Sequence, residues 1–142
     1  MNVKHVLGFA KEIKAGAVIH TGDWNVFDNI KIVTDFGIPL YSCLGNADID
    51  PKFEFKEFLK FEIDGVKIGL VHNIKKLNED RKNSDIIFCG HTHQQGEIGN
   101  VINPGALENG INFAVYDTKT KMVEFVNHDK IWKTSWQIRR FA

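Results

Sequence analysis

Asp85-Ile86-Ile87-Phe88-Cys89-Gly90-His91-Thr92-His93 is an apolar run that stops at a glycine and delivers two histidines just beyond its end. A short apolar stretch bounded by polar residues reads as a buried strand. In layered α/β sheets, ligands gather past the carboxyl ends of strands, so side chains in that place can meet partners far away in sequence. Working outward, the same pattern recurs. Ala17 to His20 runs into Thr21-Gly22-Asp23, Pro39 to Leu44 into Gly45-Asn46-Ala47-Asp48, and Val66 to Val71 into His72. Within His91-Thr92-His93, alternation along an extended segment would set both imidazoles on one side.

The rest of the chain supports a layered domain. Val3, Val6, Leu7, Ala10 and Ile13 recur at helical spacing behind an Asn2 cap and stop at Gly16, and Phe27, Ile30, Val33 and Phe36 repeat the pattern up to Gly37. Asp64-Gly65 between Phe61–Ile63 and Val66–Val71 is a hairpin turn signal, because both residues tolerate positive φ. The polar stretch from Ile74 to Arg81 reads as helical. Gly99-Asn100 and Asn103-Pro104-Gly105 mark turns, Asn112–Tyr116 and Met122–Val126 bracket a charged connection, and Trp132, Thr134, Trp136 and Ile138 alternate as one more strand over 131–138. Strand and helix alternation followed by hairpins predicts a single α/β domain over residues 1–142.

Composition excludes several classes. The 142 residues are 43% hydrophobic and 25% charged, an ordinary globular balance with length enough for one core. Lys and Arg number 18, as do Asp and Glu, so no basic field draws in nucleic acid. No apolar stretch approaches the ~18 residues of a membrane span, and no signal peptide is visible. Cys43 and Cys89 lie in apolar runs outside any CxxC or disulfide pattern and read as buried small hydrophobes. The expectation is a soluble cytoplasmic protein.

Asp23, Asn46, His72, His91 and His93 are all residue types that bind divalent metals through oxygen or imidazole nitrogen. Each has a plainer role open to it: Asp23 and Asn46 follow glycines as turn residues do, and His72 could be a half-buried histidine. His20, pointing into a strand, reads as structural, and His5 and His128 as surface residues.

Taken in order, the residues resemble the calcineurin-like metallophosphoesterases, and their small single-domain phosphodiesterase branch in particular. Gly22-Asp23 is similar to that family's GD motif, Gly45-Asn46-Ala47-Asp48 to its GNxD, His72 to its isolated strand-end histidine, and Gly90-His91-Thr92-His93 to its GHxH. Asn103-Pro104-Gly105 resembles the NPG turn of the small branch. The resemblance runs from about Asn2 to Val126.

It implies a two-layer mixed β-sheet sandwich flanked by helices, its first strand absent. It further implies that Asp23 bridges two metals, that Asn46, His72 and His91 complete the second metal's shell with Asn46 also meeting phosphate, and that His93 serves the first metal. The donor set suits manganese foremost, with iron, nickel or zinc compatible. The chain departs from the pattern in having no DxH, so one site is full and the other weak or empty. An in-frame upstream strand ending in Asp-x-His would restore it; otherwise the tail strand or a partner subunit would cover the exposed edge, and a homo-oligomer is the corresponding expectation. Ala47 stands where, by the resemblance, larger members carry a histidine that protonates the leaving group or orients the phosphate. The implied function is hydrolysis of a small phosphodiester by in-line attack of a metal-bound water, with reduced activity. The rival is a non-catalytic metal-binding scaffold or protein-interaction module on the same fold.

Overall fold

The computed structural model describes residues 2–24, 27–77, 83–107, 111–128 and 137–141, with the side chains of Asn2, His128 and 137–141 excepted. Helix α1 (Asn2–Glu12) carries its apolar stripe along two adjacent faces. Val3 and Leu7 pack with Val18 and Leu40, while Val6 and Phe9 pack with Phe113 and Ile111. The helix ends one turn earlier than Gly16 would have it. Lys14 takes φ 58°, its N–H bonds Lys11 O and the Ala15 N–H bonds Ala10 O, a Schellman motif with lysine in the usual glycine place.

Strand β1 (Val18–His20) pairs in parallel with β2 (Leu40–Ser42), and the crossover between them is α2 (Asp28–Thr34), closed by Gly37 at φ 76°. Strands β3 (Phe58–Ile63) and β4 (Val66–Val71) form the expected hairpin. Its turn residues Asp64 and Gly65 sit at φ 51° and 80°, the type I′ geometry that matches strand twist. Strand β5 (Ile86–Phe88) runs parallel to β4, β7 (Val101–Asn103) parallel to β5, and β6 (Gly96–Ile98) antiparallel to β7. The five-stranded order is β3-β4-β5-β7-β6.

Period-2 alternation splits this sheet cleanly. Ile68, Leu70, Ile86, Phe88 and Ile102 face Cys43, Val123 and Phe125 across the sandwich, whereas Val71, Ile87, Cys89 and Val101 face outward under Leu77. Phe125 belongs to β9 (Val123–His128), which lies between β8 (Ile111–Tyr116) and β10 (Gln137–Phe141) in an antiparallel sheet. Both cysteines are buried, as their apolar runs suggested.

Two expectations change. The stretch after His72 is a single 3₁₀ turn, Ile74–Lys76, with the Asn73 side chain accepting the Lys75 N–H; residues 78–82 lie outside the described set. The tail strand occupies 137–141 and pairs with β9, Gln137 opposite Asn127, so it does not cover the edge of β1. Its short connection to β9 favours pairing with that sequence neighbour. The remainder of the expected span, 131–136, lies outside the described residues. Among the described residues no helix is long and apolar enough to cross a membrane.

Candidate metal centre

Parallel pairing brings the carboxyl ends of β1, β2, β4 and β5 to one end of the layers, and the loops that leave them are stitched together. Gly22 and Asp23 follow β1 at φ 99° and 64°. A non-glycine residue held there costs on the order of 1–2 kcal/mol, so something must hold it. The Gly22 N–H donates to His20 Nδ1 at 3.1 Å, and the Asp23 N–H to Asp48 Oδ2 at 3.0 Å. The same Asp48 oxygen accepts the Gly45 N–H at 2.8 Å, and the Ala47 N–H donates to Asp23 Oδ1 at 2.8 Å. Asp48, 6% exposed, therefore ties the two loops to each other.

Four of the five expected ligands meet. His72 Nε2 lies 2.7 Å from Asn46 Oδ1, 3.2 Å from Asp23 Oδ2 and 3.3 Å from His91 Nδ1, and His91 Nδ1 is 3.3 Å from the same Asn46 oxygen. Around an ion with bonds of about 2.0–2.2 Å, donor atoms stand roughly 3.0–3.5 Å apart, close to this spacing. Protonation supports the same conclusion. His72 Nδ1 is 2.8 Å from the Thr21 carbonyl, which can only accept, so Nδ1 carries a proton, and in the neutral ring Nε2 would present a lone pair. That lone pair faces an amide oxygen, a carboxylate oxygen and a second imidazole nitrogen. As a donor set these atoms would suit a divalent ion of borderline hardness.

Among the described residues no three His, Cys, Asp or Glu side chains make a metal-holding group by themselves. The Asn46 oxygen touches both imidazoles and adds an amide donor to the cluster. His93 is exposed, and the contacts joining the other four do not involve it. The expected alternation is not how the loop is built. His91 and His93 both take positive φ, 71° and 60°, because β5 ends at Phe88 and the Thr92 N–H folds back on Gly90 O at 2.9 Å. Asn103 braces that turn from within, donating to Gly90 O and Thr92 Oγ1 and accepting the Gly105 N–H. Asp48 and Asn103 had not been singled out for a role; their place inside Gly-Asn-x-Asp and Asn-Pro-Gly was the available signal. His5 is exposed as expected, and the side chain of His128 lies outside the described residues.

His20 stands outside the contacts that join Asp23, Asn46, His72 and His91. Its ring stacks on Trp24 with centroids 3.7 Å apart, and burial pushes its pKa down to about 4 against the opposing pull of Asp48 and Asp23. The sign follows from linkage: between about pH 6.5 and about 4 the unfolded chain takes up a proton that the folded chain refuses. Stability falls as pH drops through that window, by on the order of 3 kcal/mol, and this group has no effect above it. Denaturant midpoints at about pH 7.5 and about pH 4.5 check this: the wild-type protein should lose about 2–3 kcal/mol more than His20→Phe. Equal losses would show that His20 is not the group responsible.

Residues 2–121 match the model of the calcineurin-like phosphoesterase superfamily domain. No curated protein sequence matches the chain. Solved structures share the fold. Vacuolar protein sorting 29 of Cryptosporidium parvum is 20% identical with a TM-score of 0.66, covering 99% of this chain and 88% of its own. An archaeal phosphodiesterase is 21% identical with a TM-score of 0.65, covering 99% and 92%. Vps29 of Entamoeba histolytica, solved with zinc, is 18% identical with a TM-score of 0.66, covering 94% and 87%. A family match over most of the length, on a fold that gathers Asp23, Asn46, His72 and His91 at one end of its strands, establishes that the chain belongs to the calcineurin-like phosphoesterase superfamily.

Proposed function

We propose that the chain is a metal-dependent phosphodiesterase acting on a small diester with one divalent ion, manganese foremost, held by Asp23, Asn46, His72 and His91. The observation that carries this reading is the Asn46 oxygen in contact with both His72 and His91, beside an Asp23 carboxylate held ready by the Ala47 N–H. When bound, the ion supplies Lewis-acid polarisation of the phosphoryl group and an acidified attacking water. The chain's own residues do the rest. Thr21 fixes the His72 tautomer, Asp23 balances the charge, and the exposed Asn46 amide, whose Nδ2 has no hydrogen bond among the described residues, is free to donate to a phosphate oxygen. His93, exposed two residues past His91, borders the same loop and is assigned to the substrate side. Ala47 offers no proton, so the favoured substrates carry leaving groups that depart unaided. Two buried thiols without disulfides accord with a reducing, cytoplasmic setting.

Cleavage of an activated aryl phosphodiester is the test. Manganese should switch on hydrolysis that a chelator abolishes, and manganese at about a hundred times Kd should raise stability by about 2.7 kcal/mol. Absence of hydrolysis under saturating manganese rejects the enzyme. If manganese binds all the same, the reading that remains is a metal-holding interaction module, the alternative suggested by neighbours named for vacuolar protein sorting.

A further inference from the structure

His20 lies outside the ligand set, yet its hydrogen bond reaches the turn that carries a ligand. Its Nδ1 accepts the Gly22 N–H, two residues on. A side-chain acceptor receiving the N–H of residue i+2 is the bond of an Asx turn, made here by an imidazole in place of an Asn or Asp oxygen. The next amide, that of Asp23, is taken by Asp48. Two successive N–H groups are thus each held by a side chain, across the two residues at φ 99° and 64°. The imidazole is itself fixed. It lies flat on Trp24, at an interplanar angle of 10°, and Trp24 is 3% exposed and anchored through its Nε1–H to Ser42 Oγ at 2.8 Å. The strand before the turn, the turn and the β2 strand beside it are therefore linked through one ring.

We infer that His20 is a positioning residue for Asp23: by accepting the Gly22 N–H it holds the turn in the left-handed conformation that points the Asp23 carboxylate at His72. The inference rests on the reading of Asp23 as a metal ligand. It predicts that the acceptor matters and the aromatic ring does not. Phenylalanine keeps the ring and removes the acceptor, and asparagine does the reverse.

The experiment uses the full chain as wild type, His20→Phe and His20→Asn, with manganese chloride titrated by calorimetry, and amide exchange at Gly22 and Asp23 followed by NMR without metal. Removing a group that orients a ligand costs about 10- to 100-fold in metal affinity, the loss expected of His20→Phe, while His20→Asn should bind within about three-fold of wild type. The Gly22 amide should exchange about ten-fold faster in His20→Phe alone, with amides of β9 unchanged. Wild-type affinity and Gly22 protection in His20→Phe overturn the inference, as does His20→Asn binding as weakly as His20→Phe. Should wild type take up no manganese, the metal reading falls, and Gly22 exchange decides alone: protection lost with phenylalanine and kept with asparagine upholds the positioning role, and any other pattern overturns it. Should the phenylalanine variant not fold, asparagine decides, because affinity and Gly22 protection kept without the stacked ring support the role and their loss refutes it.

Discussion

Replacing His72 with alanine is expected to weaken manganese binding by more than about a hundred-fold, beyond the cost of losing a group that merely orients a ligand. His72 contacts each of the other three proposed ligands at 2.7 to 3.3 Å, so its loss leaves only the Asn46–His91 contact among the survivors. It is also 6% exposed and is the donor to the Thr21 carbonyl. Alanine leaves that carbonyl without its partner in a half-buried setting, and the metal-free protein should lose about 1 kcal/mol. His91→Ala separates the two effects. His91 is exposed, so its loss should remove metal binding to a similar degree while changing metal-free stability by less than about 0.5 kcal/mol. Calorimetric titration with manganese and denaturant unfolding in chelator measure both quantities. Retention of wild-type affinity by His72→Ala would refute the ligand set.

How far the chain could be read before its structure depended on the range of the forces involved. The hairpin at Asp64-Gly65 and the closure of α2 at Gly37 are local events, decided by which residues tolerate positive φ, and both were readable. Convergence of Asp23, Asn46, His72 and His91 was readable for a different reason: parallel strands send their carboxyl ends to the same side, so residue type just past a strand's end carries the information. What could not be read was set by contacts between distant segments. Asp48 grips the Asp23 amide across 25 positions, and nothing in either loop alone calls for it. The left-handed turns at His91 and His93 belong to a loop braced by Asn103, which donates to Gly90 O and Thr92 Oγ1 from more than ten positions away, and the extended reading of the loop did not include that brace.

Gly45→Ala is expected to disable the centre without replacing any proposed ligand. A Cβ built on Gly45 would overlap the backbone nitrogen and Oδ1 of Asp23 and come within 2.9 Å of its Cα. The obstacle is largely backbone, so no rotamer change relieves it. Either the Gly22–Asp23 turn or the loop after β2 must move, and each movement breaks bonds that the other depends on. Asp48 holds Gly45 N–H at 2.8 Å and Asp23 N–H at 3.0 Å through a single oxygen, and the Ala47 N–H holds Asp23 Oδ1. The variant should lose about 3 kcal/mol, the upper end for overpacking, and manganese affinity should fall by more than about a hundred-fold. Gly8→Ala serves as the contrast, since a Cβ there meets nothing within 4 Å and the position is inside α1. It should gain about 0.5–1 kcal/mol and bind manganese as wild type does. Thermal unfolding in chelator and manganese titration of the two variants side by side decide the matter. If Gly45→Ala kept both its stability and its affinity, the two loops could not be packed as tightly as the shared Asp48 oxygen requires, and the strain argument for Asp23 would fall with them.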